Sequence, residues 1–190
     1  MSGKPLSVRR PSLERNPVSP SSEEIARAVA NAARQRLAAS LAKIRHCLDQ
    51  LSDEQVWWRP HPAMNSIANL VLHLCGNVQQ WLVAGLTDAP DQRDRPREFA
   101  ERGGMPKAEL VRRLEETIAR ADAALASLDA ARLLEKRRIQ GFDVTALEAI
   151  FDAVPHFQGH TQEIVHVTRS LRGETYRFQW APTTKEQGAP

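Results

Sequence analysis

The 190-residue sequence predicts an all-α fold, an antiparallel four-helix bundle. Apolar residues recur every three or four positions in four long segments, which is the period of an amphipathic helix. Each segment opens with a helix-capping residue or a proline. We see no internal repeat, no Gly-rich phosphate loop and no strand-like alternation of useful length. We expect one domain over residues 21–180, a disordered basic tail over 1–20 and a flexible tail over 181–190.

The first two helices differ in their surfaces. Ser21 and Glu24 form a capping box at the start of the first helix. Its apolar stripe comprises Ile25, Val29, Ala33, Leu37, Leu41, Ile44, Leu48 and Leu51. After a segment with two prolines, Asn65 or Ser66 caps a second helix that runs to about Leu86. This helix is apolar nearly all round, which indicates a central place in the bundle or a subunit contact, and we expect a homodimer.

The last two helices follow a long polar connection. The connection at residues 87–105 is longer than a turn between antiparallel helices requires. A long connection of this kind is typical of a segment that shapes the entrance to a site. Pro106 opens the third helix, whose apolar stripe comprises Leu110, Leu114, Ile118, Ala121, Leu125 and Leu128. The fourth helix begins near Thr145 and ends at Gly173. Pro155 lies inside it and predicts a kink or a restart.

Charge and composition exclude several classes of partner. The formal charge of +3 is supplied within the first twenty residues by Lys4, Arg9, Arg10 and Arg15 against Glu14. The rest of the chain is formally neutral, so we expect no nucleic-acid partner. No apolar run reaches the roughly 18 residues of a membrane span, so we expect no membrane partner. With no secretory signal and no disulfide framework, the sequence predicts a cytoplasmic protein.

Three histidines form the candidate site. His73 is the polar residue of the apolar segment Leu70–Cys75, whereas His156 and His160 are four residues apart on the inward stripe of the fourth helix. Residues four apart share a helix face, so a third imidazole from a packed helix could complete a three-sided metal cage. The alternative is that each histidine is a core residue bound to a carbonyl or hydroxyl oxygen.

The ligand set suggests the kind of cation. Imidazole suits a divalent ion, zinc or nickel first, with iron, copper or cobalt as further candidates. Three protein ligands leave a coordination position for water or a substrate atom, which is typical of a catalytic site. His46, His61 and His166 are predicted not to be ligands, because they lie off the apolar stripes or in a turn.

Polar residues near the histidines are candidates for further roles. Asn69 and Asn77 lie one turn either side of His73, where both could bind substrate or make polar contacts between helices. Trp81, two turns past His73, could border a substrate pocket or pack at a bundle end. Glu163 is a candidate catalytic general base, with a hydrogen-bond acceptor for a metal ligand and an exposed carboxylate as alternatives.

Four segments carry a family resemblance: WRP at 58–60, NSIANLVLHLCGN at 65–77, RDRPREFAERGG at 93–104 and HFQGHTQEI at 156–164. Over residues 21–180 the chain resembles the DinB superfamily, specifically its DUF1572 branch. The resemblance implies a four-helix bundle, commonly dimeric, with a divalent metal held by His73, His156 and His160. Characterised relatives include S-transferases and isomerases that use low-molecular-weight thiols such as bacillithiol or mycothiol, so it also implies a small-molecule thiol as partner.

The sequence leaves three functional hypotheses. The first is a metal-dependent enzyme that activates a bound thiol or water, with thiol-dependent S-transfer as the leading reaction. The second is a non-catalytic stress-response or binding module whose metal only stabilises the bundle. The third is a structural helical dimer whose core histidines bind protein groups instead of a metal.

Overall fold

The structure, a computed structural model, describes residues 19–180. The predicted tail at 181–190 and residues 1–18 of the predicted basic tail lie outside this range. The elements are α1 (Ser22–Leu48), α2 (Asp53–Trp57), α3 (Ile67–Val78), a π-helical segment (Gln79–Ala84), α4 (Arg95–Ala100), α5 (Lys107–Ala126), α6 (Ala130–Leu133), β1 (Lys136–Ile139), β2 (Phe142–Thr145), α7 (Ala146–Arg172) and a 3-10 turn (Gly173–Thr175).

Helix starts follow the capping signals of the sequence. The predicted capping box of Ser21 and Glu24 is formed at α1. Ser66 caps α3, so the predicted choice between residues 65 and 66 is settled in favour of the serine. The predicted capping residue Thr145 precedes α7. A side-chain oxygen at these positions accepts a hydrogen bond from a backbone N–H that has no partner within the helix, which fixes where the helix begins.

Within residues 19–180, the four long helices α1, α3, α5 and α7 pack around a common core. Helix α1 contacts α5 and α7, and α3 contacts the same two helices. Ion pairs of Arg34 with Asp122 and of Arg45 with Glu115 show that α1 and α5 run antiparallel. The all-round apolar surface of α3 is accounted for by this central position, so the homodimer stays a prediction.

Helices α3 and α5 run parallel, which corrects the prediction of antiparallel neighbours throughout. Near the start of α3, the Asn69 side chain donates to the carbonyls of Glu98 and Glu101, which lie just before α5. Just beyond the π-helical segment that continues α3, the Leu86 carbonyl accepts from Arg132, which lies just after α5. The long connection therefore carries the chain back along α3 instead of making a turn, and this explains its length.

A two-stranded hairpin corrects the prediction of an all-α fold, whereas the predominance of helix is confirmed. Strands β1 and β2 are antiparallel, with Ile139 opposite Phe142 at the turn. The turn residues Gln140 and Gly141 have φ of 52° and 88°. Strands of four residues are too short to show an alternating pattern, and Gln-Gly is not among the dipeptides that signal a tight hairpin.

Helix α7 continues from Ala146 to Arg172 through Pro155, so the predicted restart does not occur. A proline inside a helix removes the hydrogen bond to the carbonyl four residues earlier, here that of Phe151. Pro155 and Phe151 both lie on the exposed side of α7, and Phe151 is 65% exposed. The missing hydrogen bond therefore lies on the exposed side of α7, where solvent can substitute for it, and the helix continues towards His156 and His160.

Two further predictions concern membranes and cysteines. None of the helices formed by residues 19–180 combines the length and apolar character of a membrane-spanning segment. Cys47 and Cys75 are free cysteines, so the expectation that they form no disulfide framework agrees with the structure. A cytoplasmic location stays a prediction.

Candidate metal centre

The structure brings together the three histidines that the sequence selects. His73 lies on α3 and is 5% exposed, while His156 and His160 lie half-buried on α7. Each offers one ring nitrogen, and these nitrogens lie within 4.8 Å of one another. The Nε2 atoms of His73 and His156 are 2.9 Å apart. Ligand nitrogens around a four-coordinate ion have comparable separations, so one cation could contact all three rings.

A buried carboxylate fixes the orientation of His73. Its Nδ1 lies 2.9 Å from Glu98 Oε2 and 3.1 Å from Arg93 Nη2. Because Arg93 donates from Nε and Nη2 to the two Glu98 oxygens, at 2.8 and 3.0 Å, we assign the Nδ1 proton of His73 to its hydrogen bond with Glu98. The lone pair of His73 Nε2 then faces the other two imidazoles, as metal coordination requires.

Glu98 is ionised despite its burial. It is 8% exposed, and burial alone would raise the pKa of its carboxyl group. The hydrogen bonds from His73 and Arg93 outweigh burial and hold this pKa below its ordinary value. Arg93 is held in turn by Gln80 Oε1 at 2.9 Å, and Gln80 donates to Asp91 at 2.7 Å. A network of polar side chains therefore supports one face of the candidate site.

His160 has a carboxylate partner of its own. Its Nδ1 lies 2.8 Å from Glu163 Oε2, one helical turn further along α7. Of the three predicted roles for Glu163, the geometry supports the hydrogen-bond acceptor for a metal ligand. Its catalytic role stays a prediction. The Nδ1 atoms of His73 and His160 thus both meet carboxylates, and their Nε2 atoms remain for a cation.

His156 is held in its neutral form. Burial lowers the pKa of its imidazole from 6.5 to about 4, and electrostatic repulsion between a protonated His156 and the neighbouring His160, His73, Arg93 and Arg95 acts in the same direction. A metal ligand must present an unprotonated nitrogen, so at neutral pH this ring is in the state that coordination requires.

A cavity of about 300 Å³ opens beside His73 and His156. It is lined by His73, Asn77, Trp81, Arg93, Arg95, Gln140, Asp152, Ala153 and His156. Two residues that the sequence predicts to bind substrate, Asn77 and Trp81, therefore border the site. Asn77 is 8% exposed, and its Oδ1 finds no hydrogen-bond partner within residues 19–180. A buried amide oxygen without a partner is costly, and a ligand that donates to it would remove that cost.

Asn69 does not line this cavity, and its hydrogen bonds fit the alternative prediction of polar contacts between elements. It is fully buried, and its Oδ1 accepts from the backbone and side chain of Ser66. Its Nδ2 donates to the main-chain carbonyls of Glu98 and Glu101. Asn69 therefore completes the capping box of Ser66 at the start of α3 and anchors the connection that carries Glu98.

The remaining histidines lie outside the cluster, in agreement with the sequence analysis. His46 contacts the Arg177 carbonyl, the backbone N–H of Ala63 donates to His61, and His166 is exposed on α7. Cys75 is not part of the cluster either. Burial raises the pKa of its thiol to about 12, so the thiol stays protonated, and Cys75 is a partly buried side chain packed against the core.

The sequence analysis did not single out Arg93 and Glu98. Both lie in the connection that the sequence predicts to shape a site entrance, and in one of the segments that carry the family resemblance. The sequence therefore pointed to this segment, although not to the two individual residues. The pairing of Glu98 with His73, 25 residues earlier, depends on a return path that no local pattern encodes.

Fold and site together define a helical-bundle protein with a candidate trihistidine metal centre. The sequence model of a family described as a protein of unknown function (DUF1572) matches residues 24–185. The chain therefore belongs to the DUF1572 family.

Two solved structures resemble this fold. A conserved protein from Enterococcus faecalis has a TM-score of 0.63 and 17% identity, covering 76% of this chain and 97% of its own. A DinB-like protein from Bacillus cereus ATCC 10987 has a TM-score of 0.60 and 14% identity, covering 74% of this chain and 91% of its own. No curated protein matches the sequence significantly. At these identities the likeness shows the fold alone.

Proposed function

We propose that the protein is a divalent-metal-dependent enzyme whose ion is held by His73, His156 and His160. The observation that carries this proposal is the convergence of three imidazoles from two helices beside an open cavity. The donor set fits a cation of borderline softness, with zinc or nickel preferred. Three protein ligands leave a position for an exchangeable ligand on the cavity side.

The bound cation would supply Lewis acidity, which lowers the pKa of a coordinated thiol or water. The protein itself orients the metal ligands and bounds the space for the substrate. Glu98 and Glu163 hold two ligand rings in place, while Asn77 and Trp81 border the space for substrate. The other oxygen of Glu163, Oε1, makes no hydrogen bond within residues 19–180, and we propose it as the proton acceptor in the reaction.

A small-molecule thiol is the proposed first substrate, and S-transfer is the proposed reaction. Two features of the cavity support a thiolate beside the metal. Glu98 balances the charge of Arg93, but the cavity lining also carries Arg95 beside the single carboxylate of Asp152, and the positive charge of Arg95 favours the ionised form of a thiol. A volume of about 300 Å³ lies at the lower end of the range for small-ligand sites.

The test combines metal analysis with spectroscopy. Purified protein should contain about one equivalent of divalent metal per chain, and His73→Ala, His156→Ala and His160→Ala should each lose most of it. His166→Ala, which removes a histidine outside the cluster, should retain the metal. Absence of stoichiometric metal from metal-supplemented wild-type protein would contradict the site.

Cobalt substitution tests whether a thiol coordinates the metal. A coordinated thiolate should add a sulfur-to-cobalt charge-transfer band when a low-molecular-weight thiol is titrated into the cobalt form. An unchanged spectrum at millimolar thiol would contradict thiol activation and leave water as the activated group.

A non-catalytic module is the second candidate, and one observation favours it. The three histidines join α3 to α7, so a bound ion would stabilise the bundle even without turnover. This alternative expects the alanine variants to lose thermal stability while a broad substrate screen finds no metal-dependent turnover. Reproducible turnover that is lost in His160→Ala would exclude it.

A further inference from the structure

Gly76 lies in the interior of α3, three residues after His73. Glycine is among the least favourable residues inside a helix, because it loses more backbone freedom on folding than any other residue. Gly76 is also absent from the set of glycines with positive φ within residues 19–180, so backbone geometry does not require it. Its presence calls for another explanation.

The explanation is the space that its missing side chain leaves. A Cβ atom built on Gly76 lies 1.8 Å from Glu98 Oε1, 2.8 Å from Glu98 Cδ and 3.1 Å from Arg93 Nε. Non-bonded heavy atoms do not approach to 1.8 Å, because their repulsion rises steeply below van der Waals contact. The carboxylate of Glu98 therefore occupies the volume that any larger residue at position 76 would fill.

The carboxylate has little freedom to move aside. Its Oε1 accepts from Arg93 Nε, and its Oε2 accepts from His73 Nδ1 and Arg93 Nη2. Both Glu98 and the Arg93 side chain are at least nine-tenths buried. Displacing Glu98 would therefore weaken its hydrogen bond to His73 or leave buried charges without partners.

We propose that Gly76 is a positioning residue for the candidate metal centre. Its missing side chain lets Glu98 pack against α3 and hold the His73 ring with Nε2 directed at His156 and His160. The consequence for metal binding rests on the proposed function, whereas the consequence for the His73 ring holds in metal-free protein too.

The test is Gly76→Ala with two readouts. Zn²⁺ affinity, measured by competition with a chromophoric chelator, should fall about 10- to 100-fold, as is usual when a hydrogen-bonded partner of a metal ligand is lost. In metal-free protein, the ¹⁵N chemical shifts of the His73 imidazole should indicate a protonated Nδ1 in wild type and a mixture of tautomers in Gly76→Ala. Wild-type affinity together with an unchanged His73 tautomer would overturn the proposal.

Gly159→Ala is the matched control. Gly159 also lies inside a helix and adjoins a candidate ligand, but a Cβ built there meets nothing within 4 Å. Its Zn²⁺ affinity should stay within about twofold of wild type. A loss in Gly159→Ala as large as that in Gly76→Ala would overturn the proposal, because the cause would then be helix stiffness and not the Glu98 carboxylate.

A double-variant cycle tests whether Gly76 acts through Glu98. In a Glu98→Ala background, Gly76→Ala should lower Zn²⁺ affinity by less than about threefold, because the carboxylate it displaces is gone. An equal loss in both backgrounds would contradict the proposal. If Gly76→Ala alone does not fold, the proposal expects the double variant to be at least as stable as Glu98→Ala, since the new methyl group fills the space that Glu98 leaves. A double variant destabilised relative to Glu98→Ala as much as Gly76→Ala is relative to wild type would overturn it.

The two possible failures remain distinguishable. Wild-type protein that binds no Zn²⁺ refutes the proposed function, and the ¹⁵N shifts of metal-free protein still decide whether Gly76 positions His73. If wild-type protein binds Zn²⁺ and Gly76→Ala has the same Zn²⁺ affinity and the same His73 tautomer, only the proposed role of Gly76 is refuted.

Discussion

His73 and His160 are oriented by carboxylates that differ in how they reach their partners. Glu163 is three residues after His160 on the same helix, so the spacing alone makes it a candidate. Glu98 reaches His73 from a different element and is separated from it by 25 residues. The sequence therefore predicted the local carboxylate and missed the distant one, although both make the same kind of hydrogen bond to Nδ1.

The depressed pKa of His156 predicts how stability depends on pH. The folded pKa of about 4 lies below the ordinary 6.5, so the unfolded chain binds more protons between these values. The free energy of unfolding of metal-free protein should therefore fall as pH drops from about 6.5 to about 4. Because the ring is partly exposed, we expect a contribution of roughly 1–2 kcal/mol. Urea denaturation at several pH values measures it.

His156→Asn is the informative variant for this pH dependence. Asparagine does not titrate, so the variant should lose part of the decline in stability below pH 6.5. His166→Asn, at an exposed position of the same helix, controls for removal of a histidine as such. A decline in His156→Asn as steep as that of wild type would show that other groups cause the pH dependence.

Helices and their connections differ in how far sequence determines them. The starts of α1 and α7 are local, because a capping side chain and the residue three positions later suffice to define them. The parallel course of α3 and α5 is not local, since it depends on contacts between the connection and both helix ends. Long helices were therefore predicted well, whereas their mutual directions were not.

The hairpin supplies a prediction at the scale of one element. Gln140 has φ of 52°, a left-handed conformation that costs a glutamine roughly 1–2 kcal/mol and suits asparagine better. Gln140→Asn should therefore raise the free energy of unfolding by about 0.5–1 kcal/mol, measured by urea denaturation. It keeps a side-chain amide at a position that lines the cavity.

Gly141→Ala is the counterpart in the same turn. With φ of 88° at Gly141, alanine should lower the free energy of unfolding by about 1 kcal/mol or more. Opposite signs for the two variants would support the left-handed turn. A destabilised Gln140→Asn would contradict it and would point to contacts that need the longer glutamine side chain.

At the scale of the whole molecule, the candidate site depends on two helices that meet only after folding. His156 and His160 were predictable as a pair because the helical period places them on one face. Their meeting with His73 requires α3 and α7 to pack together, which the buried apolar residues of both helices bring about. The sequence predicted that each histidine points inward and that two packed helices could bring all three together, and the resemblance to a known family implied the same three residues.

A cation that joins α3 and α7 should stabilise the whole bundle. A ligand that binds only the folded state at 100 times its dissociation constant adds about 2.7 kcal/mol, which corresponds to a rise in Tm of about 5–10 °C for a chain of this size. Differential scanning fluorimetry with and without Zn²⁺ measures the rise. The triple variant His73→Ala/His156→Ala/His160→Ala should show none, whereas His166→Ala should respond like wild type. An equal rise in the triple variant would place the cation elsewhere, and the link between the two helices would then have to be abandoned.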